Sequence, residues 1–332
     1  MSVEPVEEIG GYFGLALPDF GDHFPVALKF QSARAALRAV LESAGIKRIM
    51  IPAYICGCIP GSLAEFGVTA ETYYLDDSLY PVSVPEFIPE GCVFLYVNYF
   101  GLCQSNVDRL LGEIPPEKVV IDNSQALFAK PGPAWASIYS VRKFIGVPDG
   151  GLLMTSDTNI KVPEDEDTES FGRMKHLLLR MAHSARDGYA SYLESEKTLN
   201  NAKPLRMSRL TKRLLASSDM KQTQERRREN FLVLAAELGM YNTFKWTLDA
   251  ESVPLCYPLV LGSDVDRLRR KLAARNIFIP TYWPDAQTPT SPESIEHRLV
   301  HRSLAVPCDQ RYSHDAITRL AGELIASVKN QN

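Results

Sequence analysis

The stretch "ASIYSVRKFIGVPDGG", residues 136–151, decides how the rest of the chain reads. It opens as an apolar, β-like run and closes on the pair Gly150–Gly151, with Lys143 three residues after Ser140. A solvated surface lysine needs no frame of apolar and turn residues. An amine held in such a frame can be desolvated, and a neutral amine adds to a carbonyl carbon to form an imine.

Working outward, short apolar runs alternate with helical stretches between about residues 30 and 155. The strands are "KRIMIP", "VTAETYYL", "CVFLYVNYF", "KVVIDNS", "ASIYSV" and "GGLLMTS". Between them lie "SARAALRAVLESAG", "ICGCIPGSLAEFG" and "SNVDRLLGEI", with Ser32 and Ser105 as expected N-caps and Gly45 and Gly67 as C-terminal stops. Near-continuous apolar strands alternating with helices predict an α/β domain whose mostly parallel sheet is covered on both faces. Ligands of such sheets collect at the carboxyl ends of the strands. The acidic "PEDEDTES" then reads as a solvated loop, residues 170–240 as helices, and "VPLCYPLVL", "SDVDRLRRKLAARN" and "IFIPTYW" as a second strand–helix–strand pattern before a last helix from His314. The expected division is an arm over 1–24, a large domain over 25–240 and a small C-terminal α+β domain over 241–332.

The 332 residues, 45% apolar with a formal charge of −4, suffice for a large core plus a smaller one. A mildly acidic balance argues against a nucleic-acid partner, whose footprint would be basic. Cys56, Cys58, Cys92, Cys103, Cys256 and Cys308 include no C-x-x-C pair and read as reduced thiols. The opening "MSVEPVEEIGGYFG" has no apolar signal-peptide core, and no apolar run is long enough for a bilayer. The expectation is a cytoplasmic protein with no membrane partner.

Two further features converge on Lys143. Asp122 closes the strand "VVID", which puts a carboxylate at the sheet edge where a ligand would sit. The helix starting at Ser32 offers free backbone N–H groups and a positive dipole end, a natural phosphate seat, and Ser140 can donate to the same group. An imine-forming lysine, a carboxylate for a ring nitrogen and a set of phosphate donors are the requirements of pyridoxal phosphate. Taken singly, each residue has a plainer role: Asp122 opens a turn, Ser32 caps a helix.

Four blocks in order, "QSARAAL", "IPAYICGCIPGSLAEFG", "YVNYFG" with "VVIDNSQALF", and "YSVRKFIGVPDGGLLMT", span residues 31–155. Through them the chain resembles the DegT/DnrJ/StrS family of sugar aminotransferases, within the aspartate-aminotransferase-like fold (fold type I). "RMSRLTKRLL", "RRRENF", "IPTYWP" and "LAVPCDQRYS" resemble its later landmarks. The resemblance implies a three-layer αβα large domain and a homodimer with shared active sites. It implies that Lys143 holds the cofactor and shuttles a proton, that Asp122 pairs with the ring nitrogen, and that Gln125 lies beside the ring. Ser32, Ala33, Arg34 and Ser140 would serve the phosphate. Asn98, Tyr99, Arg142, Tyr282, Trp283 and Arg311 would face the substrates, an amino-acid donor and a keto-sugar acceptor. The family's phosphate serine falls on Ile138, its threonine on Arg34, its ring-stacking aromatic on Cys56 (with Tyr54 nearby), and its cross-subunit asparagine on Pro204, with Asn200 or Asn201 as substitutes. A lyase or racemase acting on an amino acid would use the same Lys143 and Asp122, and a non-catalytic binder of the cofactor or of an amino sugar is a third reading.

Other signals carry less. His297 and His301 are four apart without a third metal ligand, so no metal is expected. The basic run from Lys203 to Arg228 is interrupted by Asp219 and Glu225 and reads as a solvated face. No P-loop and no G-x-G-x-x-G follows a strand. Cys56 and Cys58 are expected to face apart in either regular conformation, as structural thiols.

Overall fold

The computed structural model describes residues 9–200, 203–286 and 291–329. In chain order its elements are β1 (Leu28–Phe30), α1 (Ala33–Ser43), β2 (Arg48–Pro52), α2 (Cys58–Glu65), β3 (Thr69–Tyr73), β4 (Cys92–Val97), α3 (Gln104–Glu113), β5 (Val119–Asp122), β6 (Ala136–Ser140) and β7 (Gly151–Met154). There follow α4 (Ser170–Arg173), α5 (Lys175–Ala182), α6 (Ala185–Thr198), α7 (Arg209–Ala216), α8 (Met220–Leu238), β8 (Tyr257–Val260), α9 (Asp266–Ala274), α10 (Ile295–His301), β9 (Ser303–Val306) and α11 (His314–Lys329).

The first seven strands form one sheet in the order β1-β7-β6-β5-β4-β2-β3. From β3 across to β6 every pairing is parallel, and only β7 runs against its neighbours. Every residue of β4 and β5 is buried, as a sheet covered on both faces requires. Because β7 is reversed, its first residue, Gly151, pairs with Ser140 at the last position of β6. The ends of β5 and β6 and the start of β7 therefore share one sheet edge.

The six expected strands all form, and β1 adds a short antiparallel edge that the sequence reading did not include. Ser32 caps α1, its hydroxyl accepting from the Ala35 N–H at 3.1 Å, and Gly45 and Gly67 close α1 and α2 with φ of 63° and 68°. Ser105 is a correction. The helix begins at Gln104, and Cys103 is the cap residue, its N–H held at 3.2 Å by Asn98 Oδ1, so Ser105 lies inside the first turn. "IFIPTYW" is a second correction, since residues 277–283 form no strand. Asn276 and Trp283 sit at φ of 60° and 58°, and Pro280 has no N–H to give a ladder.

Beyond the sheet, β8 and β9 make an antiparallel pair. Phe231, Leu234 and Leu238 of α8 join Leu259, Leu304, Ile317 and Leu324 in a second apolar cluster. The acidic stretch is exposed at Glu164, Asp165, Thr168 and Glu169, as expected, but Asp167 and Ser170 are buried. The side chain of Arg173 bonds both Asp167 and Asp149, while Asp149 also accepts from Ser170 Oγ at 2.5 Å and from Thr211 Oγ1. This network ties α4 and α7 to the turn that carries Gly150 and Gly151. Among the described residues, no helix is long and apolar enough to cross a membrane.

Candidate active site

The strand "ASIYS" is buried up to Tyr139, and its last residue, Ser140, is half-buried where the chain leaves the sheet. A single 3-10 turn, Val141–Lys143, then lifts the lysine off the edge. Lys143 is half-buried, and its Nζ lies 5.5 Å from the centroid of the Trp283 ring. The residue after it is pinned from behind. The Phe144 carbonyl accepts from Gln310 Nε2 at 2.7 Å and from Arg227 Nη2 at 3.3 Å. Burial pushes the Arg227 guanidinium below its ordinary value, so the carbonyls it meets offset part of a desolvation cost.

One strand over, Asp122 is the last residue of β5, and its backbone pairs with Ile138 of β6. Its Oδ1 accepts from the Ser124 N–H at 2.8 Å, and among the described residues Oδ2 has no hydrogen-bond partner. Gln125, fully buried, accepts the Phe100 N–H on Oε1 at 2.8 Å. Its Nε2 is buried with no acceptor among the described residues. A buried amide donor left in this way costs about 1–3 kcal/mol, which a ligand acceptor would offset.

The start of α1 rests on the same edge. A Cβ on Gly151 would lie 2.1 Å from the Ser32 carbonyl carbon and 2.3 Å from Ala33 N, so the helix start is seated directly on a missing side chain. The N–H groups of Ala33 and Arg34 have no acceptor four residues back within the helix, and the positive end of its dipole adds to them. Gly151→Ala is expected to cost about 3 kcal/mol, because the atoms in the way are backbone and cannot rotate aside. Urea denaturation would measure it, and a loss under about 1 kcal/mol would contradict the packing.

Two guanidinium groups flank this seat. Arg34 donates to the side chain of Asn200, and Arg142 forms an ion pair with Glu196, leaving its Nη1 buried with no acceptor among the described residues. Both partners come from the end of α6 and the residues just after it. At its other end α6 is tied to the segment after α9, through Arg186 to Ala273 O at 3.0 Å and to Asn276 Oδ1 at 3.1 Å. The helix thus runs from α9 to the sheet edge. No sequence signal marked Glu196, because a glutamate on a helix is ordinary. Asn201 lies outside the described residues.

The remaining expected residues separate. Trp283 is buried against Tyr54 (centroids 5.0 Å) and Tyr99 (6.1 Å), and holds a left-handed backbone that costs a bulky residue about 1–3 kcal/mol. The Tyr54 hydroxyl donates to the Tyr282 carbonyl at 2.9 Å, which fixes this turn over Lys143. Burial pushes the Tyr282 hydroxyl well above its ordinary value. Tyr99 is fully buried, its hydroxyl donating to the Tyr54 carbonyl at 2.9 Å. The Asn98 amide is spent on Gln104, Asn123 and the Cys103 N–H. Arg311 pairs with Asp309 through two bonds of 2.6 and 2.9 Å. Cys56 and Cys58, expected to face apart as structural thiols, are both half-buried. His297 and His301 have ring centroids 4.4 Å apart, and no group of three or more metal-ligating side chains occurs among the described residues.

No protein-family model matches the sequence, and no curated protein matches it. Solved structures do match by fold. The aminotransferase TlmJ from Streptoalloteichus hindustanus is 18% identical, with a TM-score of 0.63 over 92% of this chain and 87% of that one. PseC from Helicobacter pylori, an aminotransferase involved in the biosynthesis of pseudoaminic acid, is 18% identical, with a TM-score of 0.61 over 92% and 87%. NtdA from Bacillus subtilis, with bound cofactor PMP, is 13% identical, with a TM-score of 0.65 over 91% and 73%. The chain shares its fold with these proteins, built here on a seven-stranded, mostly parallel sheet with helices.

Proposed function

We propose that this protein is a pyridoxal-phosphate-dependent aminotransferase, moving an amino group from an amino acid, glutamate, to a nucleotide-linked keto sugar in the cytoplasm. The observation that carries the reading is the convergence of Lys143, Asp122 and the start of α1 at one sheet edge. The likeness in fold to two aminotransferases, one involved in the biosynthesis of pseudoaminic acid, and to NtdA with bound PMP supports it.

The residues present fit the cofactor. The donors at Ala33 and Arg34, seated on Gly151, suit a phosphate, and Ser140 and Arg34 add a hydroxyl and a charge beside them. Asp122, with one carboxylate oxygen left open among the described residues, suits a protonated ring nitrogen, and the unpartnered amide of Gln125 suits a ring oxygen. When bound, pyridoxal phosphate supplies a carbonyl and an electron-withdrawing ring that accept an amino group and the electrons of a carbon–hydrogen bond. Lys143 would hold the cofactor through its amine, and its Nζ would move the proton at the substrate Cα. Asp122 holds its counter-charge in place, because its backbone is locked between β4 and β6. Trp283 and the turn fixed by Tyr54 keep water from the Lys143 amine. The buried Nη1 of Arg142 suits a substrate carboxylate. Pairing of two chains belongs to this reading: the exposed side chains of Phe171, Met181 and Tyr189 on and near α5 and α6 are apolar surface that such pairing would bury.

The test mixes the full chain, loaded with pyridoxal phosphate, with glutamate and no acceptor. The expected result is about one 2-oxoglutarate per chain, with loss of the visible absorbance of the lysine-linked cofactor. Carbon dioxide release, or racemised glutamate without a keto acid, would replace the proposal with a lyase or a racemase.

A further inference from the structure

We propose that Glu196 is a built-in competitor for a ligand carboxylate: its side chain holds Arg142 in the ligand-free chain and yields it when that carboxylate arrives. The inference deepens the proposed function and rests on its reading of Arg142 as the seat of the donor's carboxylate.

A guanidinium presents its N–H groups as a planar fork, and a carboxylate that meets two of them side by side makes the strongest pair of this kind. Arg142 lacks such a pair. Glu196 Oε1 takes Nη2 alone, and Nη1 is left buried with no acceptor among the described residues. Among those residues Arg142 has no other ion-pair partner. The fork is therefore half used, and it lies in the same 3-10 turn as Lys143, one residue before the amine. A carboxylate that bridges Nη1 and Nη2 would satisfy both donors at once, which Glu196 does not.

The two partners lose unequally by separating. The Arg142 side chain is 19% exposed and that of Glu196 32%. Glu196 is two residues from the end of α6, and its carboxylate can turn to water and recover its hydration. Arg142 left alone would be a largely buried cation without a partner, which is costly. An arriving carboxylate removes that cost as it binds, so the step exchanges one anion for another. The backbone of α6 need not move. Tyr192, one turn before Glu196, packs edge-on against His176 of α5 (centroids 5.6 Å), and Arg186 ties the start of the helix to Ala273 and Asn276. The proposed reaction gives the exchange a use. One half-reaction brings a carboxylate to Arg142, and the other brings a keto sugar that need bring none. Glu196 neutralises Arg142 during the second and weakens donor binding in the first, which makes it a specificity-determining residue.

The experiment titrates glutarate, the carbon skeleton of the donor without its amine, into the full chain by calorimetry, with pyridoxal phosphate added and without it. Glu196→Gln should bind glutarate at least ~10-fold more tightly than the wild type, since the incumbent charge is gone and the whole fork is open. Arg142→Gln should lose the binding, and Glu196→Gln added to it should restore nothing. Glu194→Gln removes the same charge from an exposed position of α6 and should bind as the wild type does. The proposal is overturned if Glu196→Gln binds glutarate no more tightly than the wild type, and a weaker affinity would make Glu196 a positioning residue for Arg142. It is also overturned if Glu196→Gln tightens inorganic phosphate instead of glutarate, the fork then serving a phosphate, or if Glu194→Gln has the same effect. The comparison of wild type with Glu196→Gln decides this even if Arg142→Gln fails to fold. The colour of the chain with pyridoxal phosphate reports separately on the proposed function. A colourless chain with the glutarate pattern intact would remove the cofactor and leave the carboxylate seat, whereas a coloured chain without that pattern would do the reverse.

Discussion

Lys143→Ala is expected to lower transamination at least ~10³-fold and to abolish the visible absorbance of the protein mixed with pyridoxal phosphate. Nucleophilic attachment and proton transfer would be lost together, and positioned proton transfer alone contributes roughly 10²–10⁴-fold. The fold should survive the change. Lys143 forms no ion pair among the described residues, and its nearest aromatic contact, 5.5 Å from the Trp283 centroid, contributes about 0.5–1 kcal/mol. A variant with an unchanged thermal midpoint but no colour and no turnover is therefore the predicted phenotype. Retained turnover with an unaltered spectrum would remove the lysine from the chemistry, whatever the fold resembles. Asp122→Asn gives the companion measurement: it keeps the shape and the acceptor for the Ser124 N–H but removes the charge, so cofactor binding should outlast activity.

The largest effect on stability is expected away from the lysine. Arg173→Ala should cost about 3–5 kcal/mol, because it leaves two carboxylates buried without their shared cation. The side chains of Asp149 and Asp167 are fully buried, and that of Arg173 nearly so. Water cannot replace the guanidinium without opening the packing of α4 and α7. At about 2 °C per kcal/mol for a chain of this size, the thermal midpoint should fall by roughly 6–10 °C. The loss should also be felt at the candidate site, since Asp149 precedes the glycine pair on which α1 is seated. Weaker binding of pyridoxal phosphate by this variant is the expected second readout. Arg173→Lys should recover only part of the stability. A lysine carries the charge, but it cannot place separate donors on Thr198 Oγ1, now bonded at 2.8 Å by Nε, and on both carboxylates. A fall of less than 1 kcal/mol in Arg173→Ala would mean that the two carboxylates find other partners.

The alternation of apolar strands with capped helices was readable along the chain, because the central strands β4 and β5 are buried on both faces and need only a local run of apolar residues to declare themselves. Lys143, Asp122 and the Ser32 cap were readable for the same reason, since each lies at the end of such a run and the rules of sheet edges bring the ends together. What tertiary structure decided are interactions between residues far apart in sequence. Glu196 meets Arg142 across 54 residues and Asn200 meets Arg34 across 166, distances at which no local pattern constrains a pair. Asp167 looked solvated like its exposed acidic neighbours because sequence records its charge but not its buried ion pair with Arg173. The strand expected at "IFIPTYW" failed because Pro280 has no N–H for a ladder and Trp283 is buried through a left-handed turn tied by the Tyr54 hydroxyl, while Phe278 stays exposed. Local chemistry thus determined the scaffold and the candidate residues at its sheet edge, while burial and long-range pairing determined what surrounds them, since the energy of a buried charge depends on neighbours that only folding supplies.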